Sequence, residues 1–305
     1  MRRTNATITI LLVVALAVAV TGCGGKEEKR TKKKTFYDTA ELQKIRVEDI
    51  DVAYKVFGPG EPLVMITGYS TTMDTWDPRF LEDLASKYKV VVFDNRGMGE
   101  TTSGTKEWTI DQFAADTAGF IRALKYSSAN VLGWSLGGDV ALGLVVFYPE
   151  RVRKLISYAG DCGGPQKIPA PEYKDTLKDL QDVNAPLSKA LAALYPPEYM
   201  QENPDYWKSF PFPKEKTPPE EISRQNQAYE EWPGVYDELP DISRPVLVAT
   251  GTEDVSTPPG NADILVSRIP RSKLVTFPGA GHGLQYQYPD EFAQAIIEFL
   301  GPGGD

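Results

Sequence analysis

The stretch Asn130-Val131-Leu132-Gly133-Trp134-Ser135-Leu136-Gly137-Gly138 decides the fold. A short apolar run ends there in a glycine-flanked serine, and apolar residues at helical spacing follow at once from Leu136 to Phe147, so Ser135 belongs to a sharp strand-to-helix turn. Such a turn forces the serine into a strained backbone conformation, and only glycine at the flanking positions lets strand and helix approach closely. Ser135 then projects from the carboxyl edge of a sheet. It also opens a helix, so the amide of Leu136 and the positive end of the helix dipole face any oxyanion formed by its attack.

Outward from this turn, strand-like and helix-like segments alternate, the sequence form of a mostly parallel sheet with crossover helices. Ile45 to Phe57 reads as an antiparallel hairpin broken near Glu48-Asp49 and closed by Gly58-Pro59-Gly60. Apolar runs short enough for strands buried on both faces recur at Leu63 to Ile66, Val90 to Phe93, Asn130 to Gly133 and Lys154 to Tyr158. Helical spacing appears at Phe80 to Tyr88 and at Ile110 to Leu124, the latter with Thr109 or Asp111 as N-cap. From Cys162 to Ser243 the pattern changes: about half of the chain's 24 prolines fall there and no clear strand appears. Residues 162–243 are too long for an ordinary loop. They read as an inserted cap of short, proline-punctuated helices such as Tyr173 to Val183 and Glu220 to Glu231. The core is then expected at 36–161 and 244–305, its second part holding strands at Pro245 to Thr250 and Leu274 to Phe277 and helices at Gly260 to Ile269 and Asp290 to Leu300.

A serine hydroxyl is a poor nucleophile near neutral pH and needs an adjacent base. The chain has one histidine, His282, set among glycines in Gly279-Ala280-Gly281-His282-Gly283 after the last expected strand. A carboxylate must fix the imidazole tautomer. Asp254, just past the strand ending at Thr250, is the choice; Asp161, at the end of the preceding strand, and Glu253 are the alternatives.

The chain order Ser135, Asp254, His282, with the serine before the cap and the other two after it, resembles the α/β-hydrolase superfamily over nearly everything from Ile45 to Leu300. Phe93-Asp94-Asn95-Arg96-Gly97-Met98-Gly99 resembles the family's Asp-x-Arg-Gly-x-Gly turn, with Asp94 and Arg96 expected to hold loops together. Gly68-Tyr69 follows a strand where the family places its oxyanion loop, so the resemblance implies the backbone N–H of Tyr69 as second oxyanion donor beside Leu136. The family commonly has His-Gly there, whereas this chain has Thr67-Gly68; the donor lies one residue further on, so the hole is expected to survive with altered loop packing. Similar dehalogenases and epoxide hydrolases place Asp at the elbow, so Ser135 implies acyl chemistry.

The expected enzyme is therefore a serine hydrolase. His282 takes and returns the proton, Asp254 stabilises the imidazolium, and no metal or organic cofactor is implied. Hydrolysis is expected to fall on the acid side as the imidazole charges. Trp134 flanks the nucleophile, and Trp207, Phe210, Phe212, Trp232 and Tyr236 of the cap are expected to supply an apolar acyl or alcohol pocket. A small carboxylic ester is favoured as substrate. Lactones, thioesters, amides, carbon–carbon cleavage and perhydrolysis, the last as in similar cofactor-free haloperoxidases, are compatible with the same triad. A hydrolase-shaped receptor that binds a small molecule is the alternative outside enzymes.

Composition sets the rest. In 305 residues, 33 Lys and Arg stand against 42 Asp and Glu, a formal charge of -9, which repels phosphate backbones and argues against nucleic acid as partner. One histidine and the distant pair Cys23 and Cys162 exclude zinc fingers and disulfide scaffolds. Arg2 and Arg3 precede an apolar run from Ile8 to Val20 that is short for a membrane span and reads as a secretory signal over residues 1–22. It ends in Val20-Thr21-Gly22-Cys23, which resembles the lipobox of prokaryotic lipoproteins and implies a lipidated Cys23 and an extracytoplasmic, membrane-anchored protein. Residues 23–35, with six Lys or Arg and no apolar residue beyond the cysteine, read as a basic tether. Cys162 is then left as a buried small residue or a free thiol.

Overall fold

A computed structural model of the chain describes residues 35–170, 191–215 and 217–301. The expected signal peptide, Cys23, the tether as far as residue 34 and the expected helix Tyr173 to Val183 lie outside the described residues. Thr35, assigned to the tether, is instead the N-cap of helix α1 (Phe36–Thr39). Its hydroxyl accepts the Asp38 amide and Asp38 returns a bond to the Thr35 amide, a reciprocal cap that satisfies two otherwise orphaned donors.

Eight strands form one sheet in the order β1-β2-β4-β3-β5-β6-β7-β8. Their bounds are Gln43–Val47, Ile50–Phe57, Pro62–Ile66, Lys89–Phe93, Ala129–Trp134, Val152–Tyr158, Val246–Gly251 and Ser272–Phe277 for β1 to β8. The hairpin β1–β2 is antiparallel and β2 meets β4 antiparallel; from β4 onward every pairing is parallel. Crossovers supply helices α2 (Pro78–Ala85), α3 (Ile110–Ala123) and α4 (Leu136–Phe147). Between β6 and β7 come α5 (Pro197–Glu202) and α6 (Pro219–Glu230), and after them α7 (Gly260–Arg268), α8 (Leu284–Gln287) and α9 (Pro289–Leu300). Among the described residues the stretch between β6 and β7 holds no strand.

The period-two alternation of the strands divides the core into two layers. Val64, Ile66, Val91 and Phe93 face a cluster with Phe113 and Phe120 of α3 and Val140 and Leu144 of α4. Leu63, Met65, Val90 and Val92 face the other layer, with Phe80 and Leu84 of α2 and Phe292 and Ile296 of α9. Each such side chain, buried on folding, contributes on the order of 1.5–3 kcal/mol. Helix α4 is buried almost all round, which is why its sequence is apolar on every face. Thr109 caps α3, its hydroxyl accepting the Gln112 amide at 2.9 Å.

Behind the sheet edge, Arg96 ties three segments. Its guanidinium donates to both carboxylate oxygens of Asp116 at 2.8 Å and both of Asp49 at 2.9 Å. Burial opposes the charge, but these bonds outweigh it and hold the guanidinium above its ordinary pKa. Asp94 accepts the Met73 and Glu100 amides at 2.7 and 2.9 Å, while burial pushes its carboxyl up to about 7. Both residues join loops, as the sequence leads one to expect. Cys162 is buried and free, its thiol pushed up to about 11 chiefly by burial, so it packs as a small apolar residue.

Candidate active site

The turn that carries Ser135 is built by two close approaches. A Cβ on Gly133 would lie 2.0 Å from the Gly137 carbonyl oxygen, and one on Gly137 would lie 2.3 Å from that of Ile66. No other residue type fits either position. Between them Ser135 adopts φ 57 and ψ -125, a left-handed conformation that L residues avoid unless the surroundings impose it. Its amide donates to the Tyr158 carbonyl at 2.9 Å, which continues the β5–β6 ladder through the bend. Leu136 begins α4, where backbone amides have no intrahelical acceptor.

His282 is brought to this turn by its backbone. Its carbonyl accepts Nε1–H of Trp134 at 3.2 Å and the Tyr158 hydroxyl at 2.6 Å. Trp134, the residue before Ser135, thus holds the main chain of His282, with the two rings 5.8 Å apart. Nδ1 of His282 lies 2.9 and 3.1 Å from the two oxygens of Asp254. Asp254 follows β7, and its Oδ1 also accepts the amides of Ser256 and Thr257 at 2.9 and 2.8 Å. The carboxylate is therefore oriented before it meets the imidazole, and it faces Nδ1 of that ring.

The alternative acids point elsewhere. Asp161 accepts the Gly163 amide at 2.7 Å and lies 3.5 Å from the Tyr229 hydroxyl, while its own amide donates to Asp139 at 2.8 Å. Asp161 and Asp139 form a buried carboxyl pair behind the elbow, both raised by burial, Asp139 also by the charge of Asp161. Glu253 has an exposed side chain and contributes its amide to the Ala280 carbonyl at 2.8 Å.

The loop after β3 reaches Ser135 directly: a Cβ on Gly68 would meet Cβ of Ser135 and the Trp134 carbonyl at 3.3 Å. Tyr69 follows, its phenol pushed up to about 12 by burial and then by Glu230. Where the family commonly carries histidine, the Thr67 hydroxyl and carbonyl accept Nδ2 of Asn95 at 3.3 and 3.2 Å. The Asn95 amide thus anchors the start of the loop, a substitution for which the sequence offered no spacing signal.

The aromatic residues expected at the pocket sit in different surroundings. Trp134 is 3% exposed and stacked on Tyr158; its N–H bond supports the main chain of His282. Trp232 is 6% exposed, bonds Asp111 at 3.2 Å and packs on Gly163, so it serves the core at the cap's base. Trp207 is 38% exposed. Phe210 packs against Phe212 and Tyr286, with ring centroids 5.1 and 5.0 Å apart, and Tyr286 in turn meets Trp134. Of the six expected contacts, Trp134 and Phe210 meet Tyr286, and of these two Phe210 is the one that stays partly exposed.

The sheet order, the strained serine at the end of β5, and the histidine–carboxylate pair after β8 and β7 define a hydrolase of the α/β fold. The chain belongs to the alpha/beta hydrolase fold family, whose model matches residues 61–289. It is similar to the serine hydrolase BPHL of Mus musculus, 26% identical over 271 residues that cover 87% of this chain and 88% of that one. It is 28% identical over 246 residues to the pimeloyl-[acyl-carrier protein] methyl ester esterase of Nitrosomonas europaea, covering 78% and 95% of the two chains. Among solved structures, a thermophilic esterase from Thermogutta terrifontis superposes with a TM-score of 0.71 at 26% identity, covering 86% of this chain and 98% of that one.

Proposed function

We propose that the protein is a carboxylic ester hydrolase working through an acyl-serine intermediate, held outside the cytoplasm by lipid on Cys23. The observation that carries the chemistry is the oriented pair Asp254–His282, with Nδ1 at 2.9 Å from the carboxylate and the histidine carbonyl bonded to the residue before Ser135. Nδ1 carries its proton toward Asp254, so Nε2 accepts the Ser135 hydroxyl proton as Oγ attacks the ester carbonyl. The carbonyl electrons move onto oxygen, where the amides of Tyr69 and Leu136 stabilise them. Collapse expels the alkoxide, which takes the proton from Nε2. Water then attacks the acyl-serine, Nε2 takes its proton, and collapse returns that proton to Ser135 and frees the carboxylic acid. Relatives named as esterases support this choice of acyl class.

The anchor rests on the order apolar run, Thr21, Gly22, Cys23 and on the basic stretch Lys26 to Lys34, which suits an anionic lipid surface. The acyl-serine chemistry is tested on the full-length chain in detergent with a fluorescent fluorophosphonate. Labelling of the native protein that is lost in Ser135→Ala and His282→Ala supports the acyl-serine reading. A folded but unlabelled native protein refutes it and favours a ligand-binding lipoprotein. Expression in a bacterial host with membrane fractionation tests the anchor: native chain in the membrane fraction and Cys23→Ala in the soluble extracytoplasmic fraction supports it, and equal distribution refutes it.

A further inference from the structure

We infer that Thr71 and Gln225 are positioning residues for the oxyanion hole, acting through the two peptide groups on either side of Tyr69; the inference rests on the acyl-serine reading above. The hydroxyl of Thr71 donates to the Gly68 carbonyl at 2.8 Å. In a trans peptide the C=O and the next N–H point in opposite directions, so this bond fixes the plane that carries the Tyr69 N–H. It also polarises that peptide, which strengthens the N–H as a donor on its far side.

The following peptide is held from the cap. Ser70 adopts φ 57, a conformation a serine does not take without support. Its amide donates at 2.7 Å to Oε1 of Gln225, a fully buried side chain on α6. Because Ser70 is the donor, the orientation of the Gln225 amide group is fixed by chemistry. Tyr69 is therefore clamped by a bond within its own loop and by one that exists only while α6 is seated. The loop start is anchored separately by Asn95 on Thr67. Cap seating and completion of the oxyanion hole are one event, and a substrate that displaces α6 slackens the hole.

The test is steady-state hydrolysis of p-nitrophenyl acetate by the full-length chain in detergent, alongside the second-order rate of fluorophosphonate labelling and the melting temperature. Thr71→Val removes the hydroxyl at constant shape. Loss of a whole oxyanion donor costs about 10²–10³-fold in kcat, so a donor left in place but misaimed is expected to cost about 10-fold or more. KM is expected within about twofold of native and labelling to slow in parallel, since binding does not use this donor. Thr71→Ser restores most of kcat. Thr72→Val is the control: the same chemical change one residue on, at a hydroxyl with no partner among the described residues, is expected to leave kcat within about twofold. Gln225→Met is expected to lower kcat like Thr71→Val, and the double variant to lose less than the product of the two, because both act on one donor. Native kinetics in Thr71→Val overturn the inference. So does a fall in kcat that follows a fall in melting temperature and is not rescued by serine. An unlabelled, inactive native chain overturns the acyl-serine reading itself, and this inference with it.

Discussion

Asp254→Asn is the sharpest test of the triad because the surroundings dictate how the new side chain must sit. Oδ1 accepts the Ser256 and Thr257 amides at 2.9 and 2.8 Å, so the oxygen of asparagine must stay there. Its NH2 group then takes the place of Oδ2, 2.9 Å from Nδ1 of His282. Facing a donor, Nδ1 must become the acceptor, and the imidazole proton moves to Nε2. That is the atom required to receive the serine proton. The fold is kept while the base is lost, a change worth about 10⁴-fold in kcat, or about 5.4 kcal/mol of barrier. The assay is hydrolysis of p-nitrophenyl acetate, with a circular-dichroism melt as the control for folding. Asp161→Asn and Glu253→Gln serve as comparators and are expected to stay within about tenfold of native. A variant Asp254→Asn that keeps more than about a tenth of native kcat, or an equal loss in Asp161→Asn, would show that the tautomer argument is wrong.

Tyr158→Phe removes the 2.6 Å bond to the His282 carbonyl and leaves Trp134 as the remaining donor; a loss of about 1 kcal/mol in urea unfolding is expected, with a few-fold lower kcat. Arg96→Lys replaces a fork that holds Asp49 and Asp116 at once by a point charge that cannot, and is expected to cost about 3–5 kcal/mol of stability in the same assay. Asp139→Asn tests the buried carboxyl pair. Burial raises both carboxyls in the folded state, with Lys167 opposing the shift and Tyr229 facing Asp161. The stability that the protonated pair contributes is present below the ordinary carboxylate range and is lost as pH rises through the raised folded value. The native melting temperature is therefore expected to fall as pH rises above the ordinary carboxylate range, and that of Asp139→Asn to fall less; parallel curves would contradict this.

What the sequence made legible was local. The elbow needs two glycines at fixed spacing around one serine, strands buried on both faces need short apolar runs, and a lone histidine among glycines after a strand has few other uses. The supporting residues were not legible because their partners lie far along the chain: Gln225 is 155 residues from Ser70, and Tyr158 is 124 from His282. Trp134 and Trp232 show the complementary case. Aromatic character in a cap or beside a nucleophile suggests a pocket wall, but whether an indole faces a cavity depends on where its N–H finds an acceptor. Here the His282 carbonyl and Asp111 supply the acceptors, and both rings turn inward. The cap's Pro219 opens α6 as its composition suggests, whereas the polar contact α6 makes with the oxyanion loop has no local signature.

The bond from Trp134 to the His282 carbonyl spans 148 residues, and this long reach makes turnover a gauge of chain integrity. Contacts of such sequence separation close late, after the entropy of a long loop has been overcome. Until the segment beyond β8 docks against β5 and β6, Ser135 is an ordinary hydroxyl on a strained turn. A chain clipped between the nucleophile and the final helix, or released before its last strand is made, can carry an intact serine and still be inert. Hydrolase activity therefore reports completion of the whole molecule rather than the presence of its most conspicuous motif.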